Sequence, residues 1–413
     1  DIADSSHIQV IYVASGEYHE SVVINSAVTI YGSRDPSTAW LPSRVDSTVL
    51  FGETIDGRPV AVLVQDVSAT VSLRSLTIIA ADATEPGEGS YGVSCVNSSD
   101  VDFRDCSIRS GNGAPGIPGE DGTPGYDKPA GSQARGGEGG LGWHATGYWV
   151  CDSVTCYYFV CLGGAAAEPG NPGHCFDGSL TGGTGGDEGQ NGEDGQDGVP
   201  GSDGKGGNGA ITIVADGELV LAAVGDGGDG GEGGYGCGGG GGGGAGGTYC
   251  MPCWETGPGY PADAGGWGGG GAGPGTGGTG GKFGGCSIAL LGYNSSVRLS
   301  RCRVSSGSGG DGGDAGAGGV GGAGQAGGAP VKDGICSWPA GWGGDGGDGG
   351  RGGHGGGGAG GASIAVAALG VSSVQYSLDT EFIPGQPGKG GASEGNPGED
   401  GVQDDVYGDG AGK

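Results

Sequence analysis

The sequence predicts an all-β solenoid of short stacked strands, interrupted by long excursions of three-residue glycine helices that pack into a bundle. Three observations carry this reading. Short apolar runs with strand-like alternation recur along the chain. Between them glycine returns at a strict spacing of three. And a chain with 113 Gly among 413 residues, 34% hydrophobic and 16% charged, has too little apolar matter for one ordinary globular core. Disorder would fit the composition, but disorder needs no fixed spacing.

The strands come first in the chain. Residues 8–32 read IQVIYVASGEYHESVVINSAVTIYG, three β runs separated by Ser-Gly and Asn-Ser turns. VSLRSLTI (Val71 to Ile78), VDFRDCSI (Val101 to Ile108) and VRLSRCRV (Val297 to Val304) share apolar positions one, three, six and eight. LVLAAV (Leu219 to Val224) and VQYSLDTEF (Val374 to Phe382) follow the pattern more loosely. Each is preceded by another apolar run, as in VAVLVQ, YGVSCV, AITIVA, SIALLG and SIAVAA. A rung of this kind buries its apolar side chains only by stacking on its neighbours. The phrase IYVASGEYHESVVINSAVTIYG resembles the opening turns of right-handed parallel β-helix proteins of the pectate-lyase-like superfamily. That resemblance implies a right-handed parallel β-helix, here of about seven coils, and leaves activity open because the fold hosts lyases, hydrolases, adhesins and inert scaffolds alike.

The expected organisation follows: N-terminal coils in 1–110, a first glycine-rich insertion in 111–209 and a coil in 210–224. A second insertion fills 225–285, a coil 286–306, a third insertion 307–361 and a last coil 362–384, before a glycine-rich tail in 385–413. All insertions leave after the same strand. A glycine period of three implies a polyproline II-type helix rising about 3.1 Å per residue. Such helices lack internal hydrogen bonds. Packed side by side, Gly-Gly-X helices can bond N–H to C=O between neighbours, because the missing Cβ lets backbones approach while X points outward. This is a polyglycine II bundle, which in backbone pattern resembles those of springtail antifreeze proteins and some bacteriophage tail-tip adhesins. A collagen reading competes through GAPGIPGEDGTPG and GEDGQDGVPGSDG, but collagen needs three chains and long uninterrupted triplets.

The net charge of −31 argues against nucleic acid and anionic membrane surfaces as partners and favours cations. No run is long enough to insert in a membrane. The 12 cysteines point to disulfides and an extracellular or cell-surface location. With Asp1 at the start, the expectation is that a targeting segment has been removed. The disulfide candidates are Cys95, Cys106, Cys151, Cys156, Cys161, Cys175, Cys237, Cys250, Cys253, Cys286, Cys302 and Cys336, with no pairing fixed by spacing. Cys250-x-x-Cys253 has no second half to complete a zinc site.

Carboxylates recur at triplet spacing, at Asp226, Asp229 and Glu232, at Asp311 and Asp314, and at Asp345 and Asp348. Consecutive members would stand about 9 Å apart, too far to chelate one calcium together. The expectation is a solvated edge with no cofactor, the alternative a calcium edge bridging neighbouring helices. Asp100, Asp102 and Asp105 with Arg104 form the one cluster an enzyme of this fold would want, and alternation turns Asp102 and Arg104 outward onto a solvated strand face. The histidines form no base or ligand motif, and no dinucleotide or phosphate loop stands out. Aromatics gather at the excursion tips: Trp143, Tyr148, Trp149, Tyr249, Trp254, Tyr260 and Trp338. They read as a closing mini-core or as a recognition surface. The expected function is therefore non-enzymatic, an extracellular structural protein whose β-helix self-associates end to end into a filament or surface layer. The alternatives are an adhesin that holds a glycan or cell-surface partner through its tips, and a polysaccharide lyase or hydrolase.

Overall fold

The computed structural model describes residues 9–43, 47–127, 150–152, 155–157, 170–175, 180, 182–187, 189–216, 219–233, 264–330 and 340–408. It is all-β apart from one 3-10 turn at Pro36–Thr38. Three parallel sheets form a parallel β-helix. One sheet stacks β1 (Val10–Ala14), β4 (Thr29–Asp35), β8 (Val71–Arg74), β11 (Val101–Arg104), β18 (Ser296–Ser300) and β21 (Ser373–Tyr376). The second stacks β2 (Gly16–His19), β6 (Thr48–Gly52), β9 (Leu76–Ala80), β12 (Ser107–Arg109), β19 (Arg303–Ser305) and β22 (Glu381–Ile383). The third stacks β3 (Val22–Ile24), β7 (Val60–Gln65), β10 (Ser90–Val96), β17 (Ser287–Tyr293), β20 (Ser363–Leu369) and β23 (Gln403–Tyr407).

Alternation sets the core. Val71, Leu73, Leu76 and Ile78, then Val101, Phe103, Cys106 and Ile108, then Val297, Leu299, Cys302 and Val304 stack as buried columns through successive coils. The register is direct, Val101 pairing with Val71 on one side and Val297 on the other. Turns stack as well. Ser33, Ser75, Asp105 and Arg301 all hold φ between 53° and 55°, and Asp66, Asn97 and Asn294 hold φ between 49° and 54°. Positive φ is unfavourable outside glycine, and the second column is held by a ladder: Asn294 Nδ2 donates to Asn97 Oδ1, and Asn97 Nδ2 to Asp66 Oδ1.

The described residues form six coils, against about seven expected, because 210–224 is not a rung. Its two runs, β15 (Thr212–Asp216) and β16 (Leu219–Ala223), pair antiparallel with each other, Asp216 opposite Leu219. The Asp-Gly step between them is a hairpin signal, and it outweighs the apolar pattern that made the segment look like a coil. The first excursion therefore leaves after β12 and returns at β17, the second lies between β19 and β20 and the third between β22 and β23. All three leave after the second sheet and return into the third.

The excursions form arms: p1 (111–127), p2 (190–208), p3 (225–233), p4 (264–285), p5 (307–328), p6 (341–361), p7 (385–392) and p8 (396–402). They bond to one another at a period of three. Gly113, Gly116, Gly119, Gly122 and Gly125 of p1 donate to the carbonyls of Ser308, Asp311, Asp314, Ala317 and Val320 of the parallel p5. Gly343 to Gly361 of p6 donate in steps of three to Gly328 to Gly310 of the antiparallel p5. Arm p6 lies at the centre. It receives Gly204 N–H of p2 at His354 O, Gly278 N–H of p4 at Gly353 O and Gly388 N–H of p7 at Gly361 O. It gives Gly353 N–H to Gly231 O of p3 and Gly360 N–H to Glu399 O of p8. The packing demands glycine: a Cβ on Gly355 would sit 2.1 Å from Thr279 O, and one on Gly360 2.1 Å from Gly388 O.

The cysteines differ from expectation. Cys95, Cys106, Cys286 and Cys302 are buried free thiols, not disulfides. They belong to the coil interior and its stacked turns, where Cys acts as a small apolar residue; no other cysteine lies beside Cys95 or Cys286 in the rungs that flank them. Cys175 is disulfide-bonded, and Cys151 faces Cys156 across the pair β13 (Val150–Asp152) and β14 (Thr155–Tyr157). Cys161, Cys237, Cys250, Cys253 and Cys336 lie outside the described residues.

Candidate functional site

The aspartates of the acidic triplets bond across the bundle. Aspartates at the X positions accept backbone N–H groups of the adjoining arm. Asp345 N–H donates to Asp194 Oδ1 at 2.8 Å and Asp348 N–H to Asp197 Oδ1 at 2.9 Å. Asp345 and Asp348 in turn accept from Gly327 and Gly324 of p5. Asp311 and Asp314 accept from Lys389 and Ala392 of p7, and Asp226 and Asp229 from Phe283 and Gly280 of p4. Bonds to a charged acceptor contribute about 1.5–3 kcal/mol each. The edge read from the sequence as solvated is exposed, and its aspartates also act as inter-arm clamps. Among the described residues no group of three or more His, Cys, Asp or Glu side chains is placed to share a metal ion.

Asp102 also departs from expectation. It lies on the outer face of β11 but is 3% exposed, because guanidinium groups roof it. Arg104 Nε donates to its Oδ2 at 2.8 Å, with Arg74 at 3.9 Å from the same oxygen and Arg298 at 3.9 Å from Oδ1. Arg298 also pairs with Asp100 at 2.6 Å. Arg74 and Arg34 lie over the Tyr31 ring. A carboxylate so neutralised and covered is a clamp between adjoining strands rather than a general base facing a substrate. Asp105 turns away from it and accepts two bonds from Arg301, whose guanidinium holds the Asp105 carboxyl below its ordinary range.

Among the described residues two surfaces have no partner. The first is the pair of coil ends. Strands β1, β2 and β3 are each bonded on one side only, and so are β21, β22 and β23 at the other end. Val10, Tyr12 and Val23 of the first coil are about half exposed. The second surface is the far end of the arms. The tip residues Trp143, Tyr148, Trp149, Tyr249, Trp254, Tyr260 and Trp338 lie outside the described residues. Trp267 of p4 and Trp342 of p6, which the sequence reading did not single out, stand at the distal ends of two adjoining arms, 60% and 55% exposed. Their signal was available: each occupies the X position of the outermost triplet, the first of its arm in chain order. Among the described residues no helix is long and apolar enough to cross a membrane. No family model, curated protein or solved structure matches this chain.

Proposed function

We propose that this protein is an extracellular structural element that assembles end to end through its coil stack, displaying the arm bundle to the side. The observation that carries the reading is the matched pair of coil ends. The same three sheets end in the same order at each end of the stack, all strands parallel, so the last coil of one copy presents the pairing edge that the first coil of the next requires. Such a contact is heterologous, and without a closing rotation it propagates as a filament. The clamping of neighbouring arms by aspartates supports a building role over a catalytic one, as does the burial of Asp102 beneath its arginines. Electron microscopy of the purified chain at rising concentration tests it. Filaments with an axial repeat of about six rungs, roughly 30 Å, are expected; monodisperse particles at every concentration would refute it. A Tyr12→Pro change on the first strand removes a ladder donor and is expected to shorten the filaments.

A second reading, adhesion to a glycan or a cell-surface partner through the arm ends, is favoured by the exposure of Trp267 and Trp342. Replacing both by Ala would then abolish binding to a glycan array and leave assembly unchanged.

A further inference from the structure

The turn between β11 and β12 and the turn between β18 and β19 are the same turn in consecutive coils. Arg104 is aligned with Ser300 on one side of it and Ser107 with Arg303 on the other, which places Cys106 directly beside Cys302. Parallel strands stand about 4.8 Å apart, and a disulfide spans Cα separations of about 4.4–6.8 Å. Each thiol donates within its own turn, Cys106 to Arg104 O and Cys302 to Ser300 O. Each sulfur also sits 3.4 Å from a carbonyl of the preceding coil, Cys106 Sγ at Leu73 O and Cys302 Sγ at Phe103 O. Both line a cavity of about 460 Å³ together with Asp105, Arg301, Asp379 and Glu381. Neither Cys95 nor Cys286 lines it. The pair is asymmetric: the neighbouring Cys106 draws the Cys302 thiol down, while Cys302 and burial push the Cys106 thiol up.

We propose that Cys106 and Cys302 are a dithiol reaction site for small disulfides. The Cys302 thiolate attacks one sulfur of R–S–S–R. The S–S bond breaks, and one thiolate leaves and takes up a proton from solvent. Cys106, having given its proton to solvent, attacks Cys302 Sγ in the mixed disulfide and expels the second thiolate, which is likewise protonated. Two protein thiols are oxidised and one small disulfide is reduced to two thiols. The product is a cross-link between adjacent coils that ties together the roots of the entire first excursion, across the 196 residues that separate equivalent positions of these two turns. The site stands apart from the self-assembly reading and survives its failure.

The test uses the full chain and oxidised glutathione as probe, followed by alkylation and peptide mapping without reduction. The expected result is a Cys106–Cys302 cross-linked peptide, with Cys95 and Cys286 still free to be alkylated after unfolding. In Cys106→Ser the reaction stops at a glutathione adduct on Cys302. In Cys302→Ser uptake at Cys106 falls at least about tenfold, because the thiolate carries the reaction. Recovery of both Cys106 and Cys302 as free thiols from the unsubstituted chain overturns the proposal, whatever the variants do. So does modification of Cys95 at the same rate.

Discussion

Substitution of one methyl group should separate the bundle from the coils. Gly355 lies in p6, where a Cβ would meet Thr279 O at 2.1 Å and Thr279 C at 2.6 Å, both backbone atoms that cannot rotate away. Relief requires p6 to move from p4 by about an ångström. That movement breaks the flanking bonds from Gly278 N–H to Gly353 O and from Gly281 N–H to Gly356 O. Each break strands a buried donor at about 1–3 kcal/mol, so Gly355→Ala is expected to cost about 2–6 kcal/mol. Gly292 in β17 is the control. A Cβ there meets nothing closer than 3.8 Å, so Gly292→Ala should stabilise by about 0.4–1 kcal/mol through the unfolded chain. Denaturant midpoints give the signs, and amide exchange gives the place: Gly355→Ala should expose p4 and p6 amides and leave β17 and β20 protected. Equal effects of the two changes, or arm amides that exchange freely in the unsubstituted chain, would refute packed and hydrogen-bonded arms.

Three further outcomes follow from particular contacts. Asp197→Ala should destabilise by about 1.5–3 kcal/mol by orphaning Asp348 N–H, whereas Asp197→Asn, which keeps an acceptor, should recover most of that in the same denaturation series. Burial pushes the Cys95 thiol up to about 12 and the Cys286 thiol to about 11, from an ordinary value of 9.0. The folded chain then holds protons that the unfolded chain releases, so their contribution is full below pH 9.0 and declines above it by about 1.4 kcal/mol per pH unit for each thiol; Cys95→Ala should flatten that alkaline slope. Asp105 works in the opposite sense. Its lowered carboxyl adds stability above its ordinary value of 3.8 that fades as pH falls through the folded value, so Arg301→Ala should cost less than about 1 kcal/mol at neutral pH and nothing in acid.

The coils were legible because their signal is local and repeated. Val101, Phe103, Cys106 and Ile108 alternate within one phrase, and the phrase recurs with its burial intact at Val71 and Val297. Segment 210–224 was misread because an isolated hairpin and a coil share period two. The Asp216-Gly217 step is the local signal for the hairpin, and the apolar pattern does not carry it. Asp102 was legible in direction but not in burial. Alternation turns it outward, while its roof comes from Arg74 and Arg298 in neighbouring coils, and Arg298 lies far along the chain. The carboxylate clamps were out of reach for a related reason. Spacing along one arm says nothing of the arm alongside, and the acceptor for Asp345 N–H is supplied by Asp194.

The number of glycines per triplet encodes where an arm sits. Arm p1, at the margin, carries one: Gly119 and its counterparts face p4 and p5, and a Cβ on Gly119 would meet Thr279 O at 2.1 Å. Its outer positions take Pro115, Pro118 and Pro124, all exposed, where a residue without an N–H leaves no donor unpaired. This is edge protection of the kind sheets use, and it accounts for the collagen-like look of GAPGIPGEDGTPG without a second or third chain. Arm p6 shows the transition within one arm. Trp342, Asp345, Asp348, Arg351 and His354 hold the X position along its distal half. At Gly357 and Gly360 the same position becomes glycine where p7 and p8 cover it, with Gly391 O and Gly388 O 2.0 and 2.1 Å from a would-be Cβ. Placing Asp at Gly357 should therefore expel the p7–p8 hairpin. The readout is selective exchange of the Gly388, Gly391 and Gly398 amides; their continued protection would show that glycine density in these arms records composition alone.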